Sequence, residues 1–106
     1  MNRYEYYEGT VIWLALNKDE AVGIMVARKD NEGINYSPYA FYVMPAWRRL
    51  GIGTDLFRRL TELTDSEGCG LELCVLNHNG PAKRLYKLFG LRSYARLMYR
   101  ENRRKT

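Results

Sequence analysis

Between residues 9 and 44 the apolar positions come in short β-type runs bounded by polar turns. Residues 9–16, GTVIWLAL, are rich in β-branched and aromatic side chains, and residues 21–28, AVGIMVAR, repeat that character. Asn17, Lys18, Asp19 and Glu20 lie between them as turn residues, so the two runs predict a hairpin. A second polar turn over residues 29–33 leads into a third strand, residues 34–44, with Pro38 near its start, where a missing N–H does least harm. After Gly51 the period changes. At about 100° per residue, Ile52, Leu56, Phe57, Leu60 and Leu63 fall on one arc, and Asp55, Arg58, Arg59 and Glu62 fall on the opposite one. Asp55 and Arg59 are spaced to pair, and the helix should end near Gly68 or Gly70.

Residues 71–76, LELCVL, predict a short apolar strand. Asn79 then caps a second helix, with Pro81 in its first turn, Gly90 as its stop, and Ala82, Leu85 and Phe89 as its packing stripe. Residues 91–99 predict a last strand, in which Ala95, Leu97 and Tyr99 alternate with Arg96, Met98 and Arg100. Residues 1–8 hold Tyr4, Tyr6 and Tyr7 among polar neighbours and read as an edge strand or a mobile start. The order β-β-β-α-β-α-β implies an α/β fold: a mixed sheet, mostly antiparallel, with two main helices. Its one parallel step spans the first helix by a right-handed crossover.

Length and charge narrow the classes. A chain of 106 residues predicts a single domain over 1–106, with residues 101–106 as a basic tail. No apolar run approaches the roughly 20 residues of a membrane helix, and the start MNRYEYYEG lacks a signal-peptide core, so a cytoplasmic protein is expected. Cys69 and Cys74 on one strand would stand roughly 16 Å apart, too far for a disulfide. With His78 as the one histidine there is no zinc spacing, and no metal is expected. The net charge is +5, with Arg92, Arg96, Arg100, Arg103, Arg104 and Lys105 near the end. A solvated tail accounts for them better than a nucleic-acid site, because no aromatic-basic recognition motif accompanies them.

The chemistry concentrates in residues 39–54, YAFYVMPAWRRLGIGT. A strand that empties through two arginines and two glycines into a helix start is an anion site: the first helical N–H groups have no internal partner and the dipole adds positive charge. The dinucleotide fingerprint is absent, since Leu56 stands where its third glycine belongs, and no Walker ending follows. On the second helix Asn79, Lys83 and Tyr86 share a face at the border with the packing stripe. Read alone, Asn79 is a cap and Tyr86 a tyrosine at the core's edge.

Taken together, Arg48-x-x-Gly51-x-Gly53 after a strand ending Tyr42-Val43-Met44-Pro45, and Asn79-x-x-Ala82-x-x-Leu85-Tyr86-x-x-x-Gly90-Leu91, resemble the two motifs of the GNAT-type N-acetyltransferase superfamily. Leu91 replaces the family's phenylalanine. The resemblance spans about residues 9–99 and implies acetyl-CoA as co-substrate. It implies that backbone groups of Phe41, Tyr42 and Val43 hold the pantetheine arm. N–H groups from Arg49 through Leu50, Gly51, Ile52, Gly53 and Thr54, with Arg48, would hold the pyrophosphate. Asn79 would bind near the pantetheine, Lys83 joins the same set, and Tyr86 would assist the departing thiolate. The implied reaction is direct attack of a neutral amine, with an N–H of the third strand stabilising the oxyanion.

Two departures bear on activity. The chain goes almost at once into its hairpin, without the N-terminal helical region that covers the acceptor cleft in many members, so the acceptor side is open or completed by a second copy, as a homodimer. Cys74 also stands where some members carry a glutamate, which leaves Glu72, Tyr42, His78 or water for amine deprotonation. Two rivals follow: an idle CoA-binding module, and a basic domain that binds nucleic acid or acidic protein.

Overall fold

The computed structural model of the chain describes the backbone of residues 2–5 and all of residues 9–102. Five strands form one sheet in sequence order: β1 (Asn2–Glu5), β2 (Thr10–Asn17), β3 (Glu20–Lys29), β4 (Asn35–Val43) and β5 (Gly70–Leu71). The first three pairings are antiparallel and the last is parallel. Helix α1 (Ile52–Glu67) makes the crossover, and α2 (Gly80–Leu88) follows β5. The expected α/β class, mixed sheet and two helices are therefore present. Residues 1 and 6–8, half of the expected start, and residues 103–106, most of the basic tail, lie outside the described residues.

Both helices follow their sequence signals. Helix α1 opens at Gly51, whose φ of 85° is left-handed, and closes on Gly68 at φ 69°. The carboxylate of Asp55 pairs with Arg58 at 3.4 Å and Arg59 at 3.5 Å. Asn79 caps α2 by accepting the Ala82 N–H at 3.2 Å. One face of the sheet, carrying Val11, Trp13, Met25, Ala27 and Tyr36, packs on Leu56, Phe57, Leu60 and Leu63 of α1. Leu85 and Tyr86 of α2, with Phe89 at its C-terminal cap, pack against that core. Glu67, at the last turn of α1, ties the helix to two strands. It accepts the Tyr36 hydroxyl at 2.9 Å and pairs with Lys29 at 2.6 Å.

Gly23 sets how closely α1 approaches. A Cβ there would lie 3.1 Å from Ile52 Cγ2 and 3.3 Å from Leu56 Cδ1. The first turn of α1 therefore rests on bare β3 backbone. Gly23→Val should overpack this contact and destabilise the protein by about 1–3 kcal/mol, read as a lower denaturation midpoint.

Asn2–Glu5 pairs along its length with β2, the edge-strand reading of the start. The expected strand order needs correction toward the C-terminal end. Residues 91–99, expected as the last strand, form no ladder among the described residues, and Leu97, Met98 and Tyr99 are all more than 80% exposed. Alternation assigns faces to a strand, but a ladder also needs a neighbour. Within the segment, Leu91 packs against the core and the Tyr94 hydroxyl donates to the Glu72 carboxylate just past β5. The strand expected over residues 71–76 pairs only at Gly70 and Leu71. Gly70 N–H donates to Ile34 O and Glu72 N–H to Tyr36 O, both at 2.9 Å. The next donor in that parallel series belongs to residue 38, a proline without an N–H.

Candidate functional site

Beyond Pro38 the last two strands, β4 and β5, part, and a bulge lies at the same place. Register with β3 slips between Val26, opposite Ala40, and Ala27, opposite Pro38, leaving Tyr39 as the extra residue. The bulge also exchanges which backbone groups face the gap. Met44 N–H donates to Val22 O at 2.9 Å, so by the ladder's alternation residues 40, 42 and 44 turn their amides to β3. The amides of Phe41 and Val43 then face away from β3, toward the gap. The structure thus separates the expected trio: Phe41 and Val43 offer backbone groups there, whereas Tyr42 spends its own on β3. Val43 O already accepts Arg48 Nε at 2.8 Å.

At the wide end of the gap stands the start of α1. Asp55 N–H returns to Gly51 O at 3.0 Å, so the N–H groups of Ile52, Gly53 and Thr54 precede the first intrahelical bond. Gly51 has no side-chain cap, and a Cβ built on it would meet nothing within 4 Å. The bend is unblocked. Arg49 also holds a positive φ, 65°, a conformation that strains a residue with a side chain by about 1 kcal/mol or more. The Arg48 guanidinium lies 5.1 Å from the Tyr42 ring centre, which fixes its stem over the end of β4 and leaves most of its fork of donors uncommitted. Leu50 is exposed. The carboxylate nearest in sequence, Asp55, is paired with two arginines. Its repulsion of an anion here is correspondingly reduced.

Helix α2 brings the third element. The Tyr86 ring lies 5.1 Å from Phe57, and Phe57 lies 6.0 Å from Phe41 of β4, so one buried ring separates the phenol from the gap-facing strand. Burial pushes the Tyr86 phenol above its usual range near 10. Asn79 is occupied as the cap of α2, and Lys83 Nζ donates back to Asn77 O at 3.3 Å. Neither is committed to the gap. Among the deprotonation candidates, Glu72 accepts from Tyr94, while Tyr42 and His78 are exposed. No group of three or more acidic, histidine or cysteine side chains suited to a metal occurs among the described residues.

Tyr36 is a second raised phenol, through burial first and its bond to Glu67 second. For both tyrosines the fold favours the neutral form. Their contribution to stability is complete below about pH 10 and is lost as pH rises through the higher folded values. The Tyr94 phenol is raised as well, through its bond to Glu72, so ultraviolet titration should show three late tyrosines, with the buried pair ionising together with alkaline unfolding.

The glycine bend that opens α1 and the extent of α2 are legible in the sequence; the bulge, the close contact at Gly23 and the turning of the Tyr42 backbone to β3 are not. Pro38 was the available signal for the parted strands. Comparison with known proteins then decides the family. The profile described as the Acetyltransferase (GNAT) family matches residues 1–91. The chain belongs to the GNAT acetyltransferase family. Among relatives, mouse (Mus musculus) thialysine N-epsilon-acetyltransferase is 42% identical over 50 residues, which are 46% of this chain and only 29% of that protein. A putative acetyl transferase from Pyrococcus furiosus superposes with TM-score 0.77 at 26% identity, covering 88% of this chain and 66% of that one. An aminoglycoside N-acetyltransferase in complex with CoA superposes with TM-score 0.73, covering 90% and 77%. At 14% identity this last likeness speaks to the GNAT fold alone.

Proposed function

We propose that this GNAT chain transfers an acetyl group from acetyl-CoA to an amine. What carries the reading is the unblocked start of α1 at the wide end of a gap whose near wall presents the Phe41 and Val43 amides. Acetyl-CoA supplies the activated acyl group. Ile52, Gly53 and Thr54 N–H groups, with Arg48 and Arg49, match its pyrophosphate. The run from Val43 back to Tyr39 offers about 13 Å of strand for the pantetheine arm.

Direct transfer to a neutral amine asks three things of the protein: a hydrogen bond for the developing oxyanion, a donor for the leaving sulfur, and an approach for the amine. The Phe41 amide serves the first and Tyr86 the second. The open face of the sheet beside the bulge provides the third, with water receiving the amine's proton.

A catalytically idle CoA-binding module is the second reading, favoured because Glu72 is turned to Tyr94. The two separate experimentally. Saturating acetyl-CoA should raise the melting temperature, and amines should then release free thiol. No thermal shift would remove both readings; a shift without thiol release from any amine would leave the module.

A further inference from the structure

A groove of about 350 Å³, lined by Arg28, Lys29, Asp30, Asn31, Ser37 and Tyr39, lies beside the bulge at the closed end of the gap. Its charges are unequally committed. The Asp30 carboxylate accepts the Ile34 and Asn35 N–H groups at 2.8 and 3.1 Å, which holds it to its own turn. Lys29 pairs with Glu67. Arg28 has no acidic partner among the described residues, and its guanidinium lies 5.5 Å from the ring centre of Tyr39, the bulged residue itself. An arginine steadied on an aromatic face, in a groove whose one carboxylate is already engaged, is a receptor for a carboxylate.

Resting on the acetyltransferase reading, we infer that the groove selects acceptors that carry a carboxylate as well as the reacting amine, with Arg28 binding the carboxylate. Ser37 and Tyr39 are one residue either side of Pro38, where the ladder stops. Arg28 alternates with Ala27, which is buried on the α1 face, so an acceptor anchored on Arg28 reaches the apex of the gap from the opposite face of the sheet. The volume suits a free amino acid of lysine size better than a folded protein's side chain with its flanking backbone.

The test compares lysine with cadaverine, the same diamine without the carboxylate, by acetyl-CoA-dependent thiol release. Wild type should prefer lysine roughly tenfold or more in kcat/KM. Arg28→Gln should bring that ratio near one, mainly through the KM for lysine. Arg92→Gln, a loss of equal charge on the exposed C-terminal segment, should leave the ratio as in wild type. Equal use of both amines, an unchanged ratio in R28Q, the same collapse in R92Q, or turnover of neither amine by protein that binds acetyl-CoA would each overturn the inference while leaving cofactor binding intact. Failure to bind acetyl-CoA is a different result and would overturn the underlying reading as well.

Discussion

Replacing Tyr86 with phenylalanine is expected to slow acyl transfer by roughly ten- to a hundredfold while acetyl-CoA affinity stays within about twofold. The asymmetry follows from where the hydroxyl acts. The ring, packed on Phe57, is retained in the variant, so the wall of the site keeps its shape. What disappears is one donor toward a sulfur that becomes negative only as the bond to carbon breaks, an interaction realised in the transition state. Full proton transfer is not required. An ordinary phenol near pKa 10 giving its proton to a thiolate near 8.5 is uphill by roughly 2 kcal/mol. Burial raises the phenol further, so the transfer becomes harder. Tyr86 is better suited to hydrogen-bond the thiolate than to protonate it. Single-turnover rates and acetyl-CoA titrations on both proteins check this; equal rates would remove Tyr86 from the chemistry.

Phe57→Ala should have the largest effect on stability, a loss of about 3–5 kcal/mol. Its ring is wholly buried and touches three others, at centroid distances of 6.0 Å to Phe41, 5.1 Å to Tyr86 and 5.3 Å to Phe89. Removing it leaves a void between the strand that would hold the pantetheine arm and the helix that carries the phenol. Against a total of about 5–15 kcal/mol for a domain, the loss brings the protein close to its unfolding threshold. Denaturant titration gives the size directly. Phe57→Leu, which keeps most of the volume, should lose much less.

The extent to which this could be read in advance depends on how local each cause is. The helix over Ile52–Glu67 is legible because its period, its opening glycine and its closing glycine are all written within one stretch. The same holds for Asn79, Pro81 and Gly90 around the second helix. Residues 91–99 carry an equally clean alternation, yet pairing depends on a neighbour elsewhere in the chain, and they form no ladder among the described residues. The direction of the Tyr42 amide is hidden from sequence for a related reason. A single extra residue at Tyr39 exchanges the two sides of the backbone, and a bulge has no reliable mark in sequence. Gly23 bears no local mark of its role, because the close contact it permits is with a helix nearly thirty residues further along the chain.

Pro38 has an evolutionary consequence. Most binding clefts are kept open by bulky walls, and many substitutions can erode such walls slowly. Here the opening begins at one imino acid that cannot contribute to the seam between the last two strands. A single codon change restoring an amide would extend the seam by one bond and shorten the gap from its closed end without removing any group the gap presents. Variation at this position would therefore alter access before it altered chemistry.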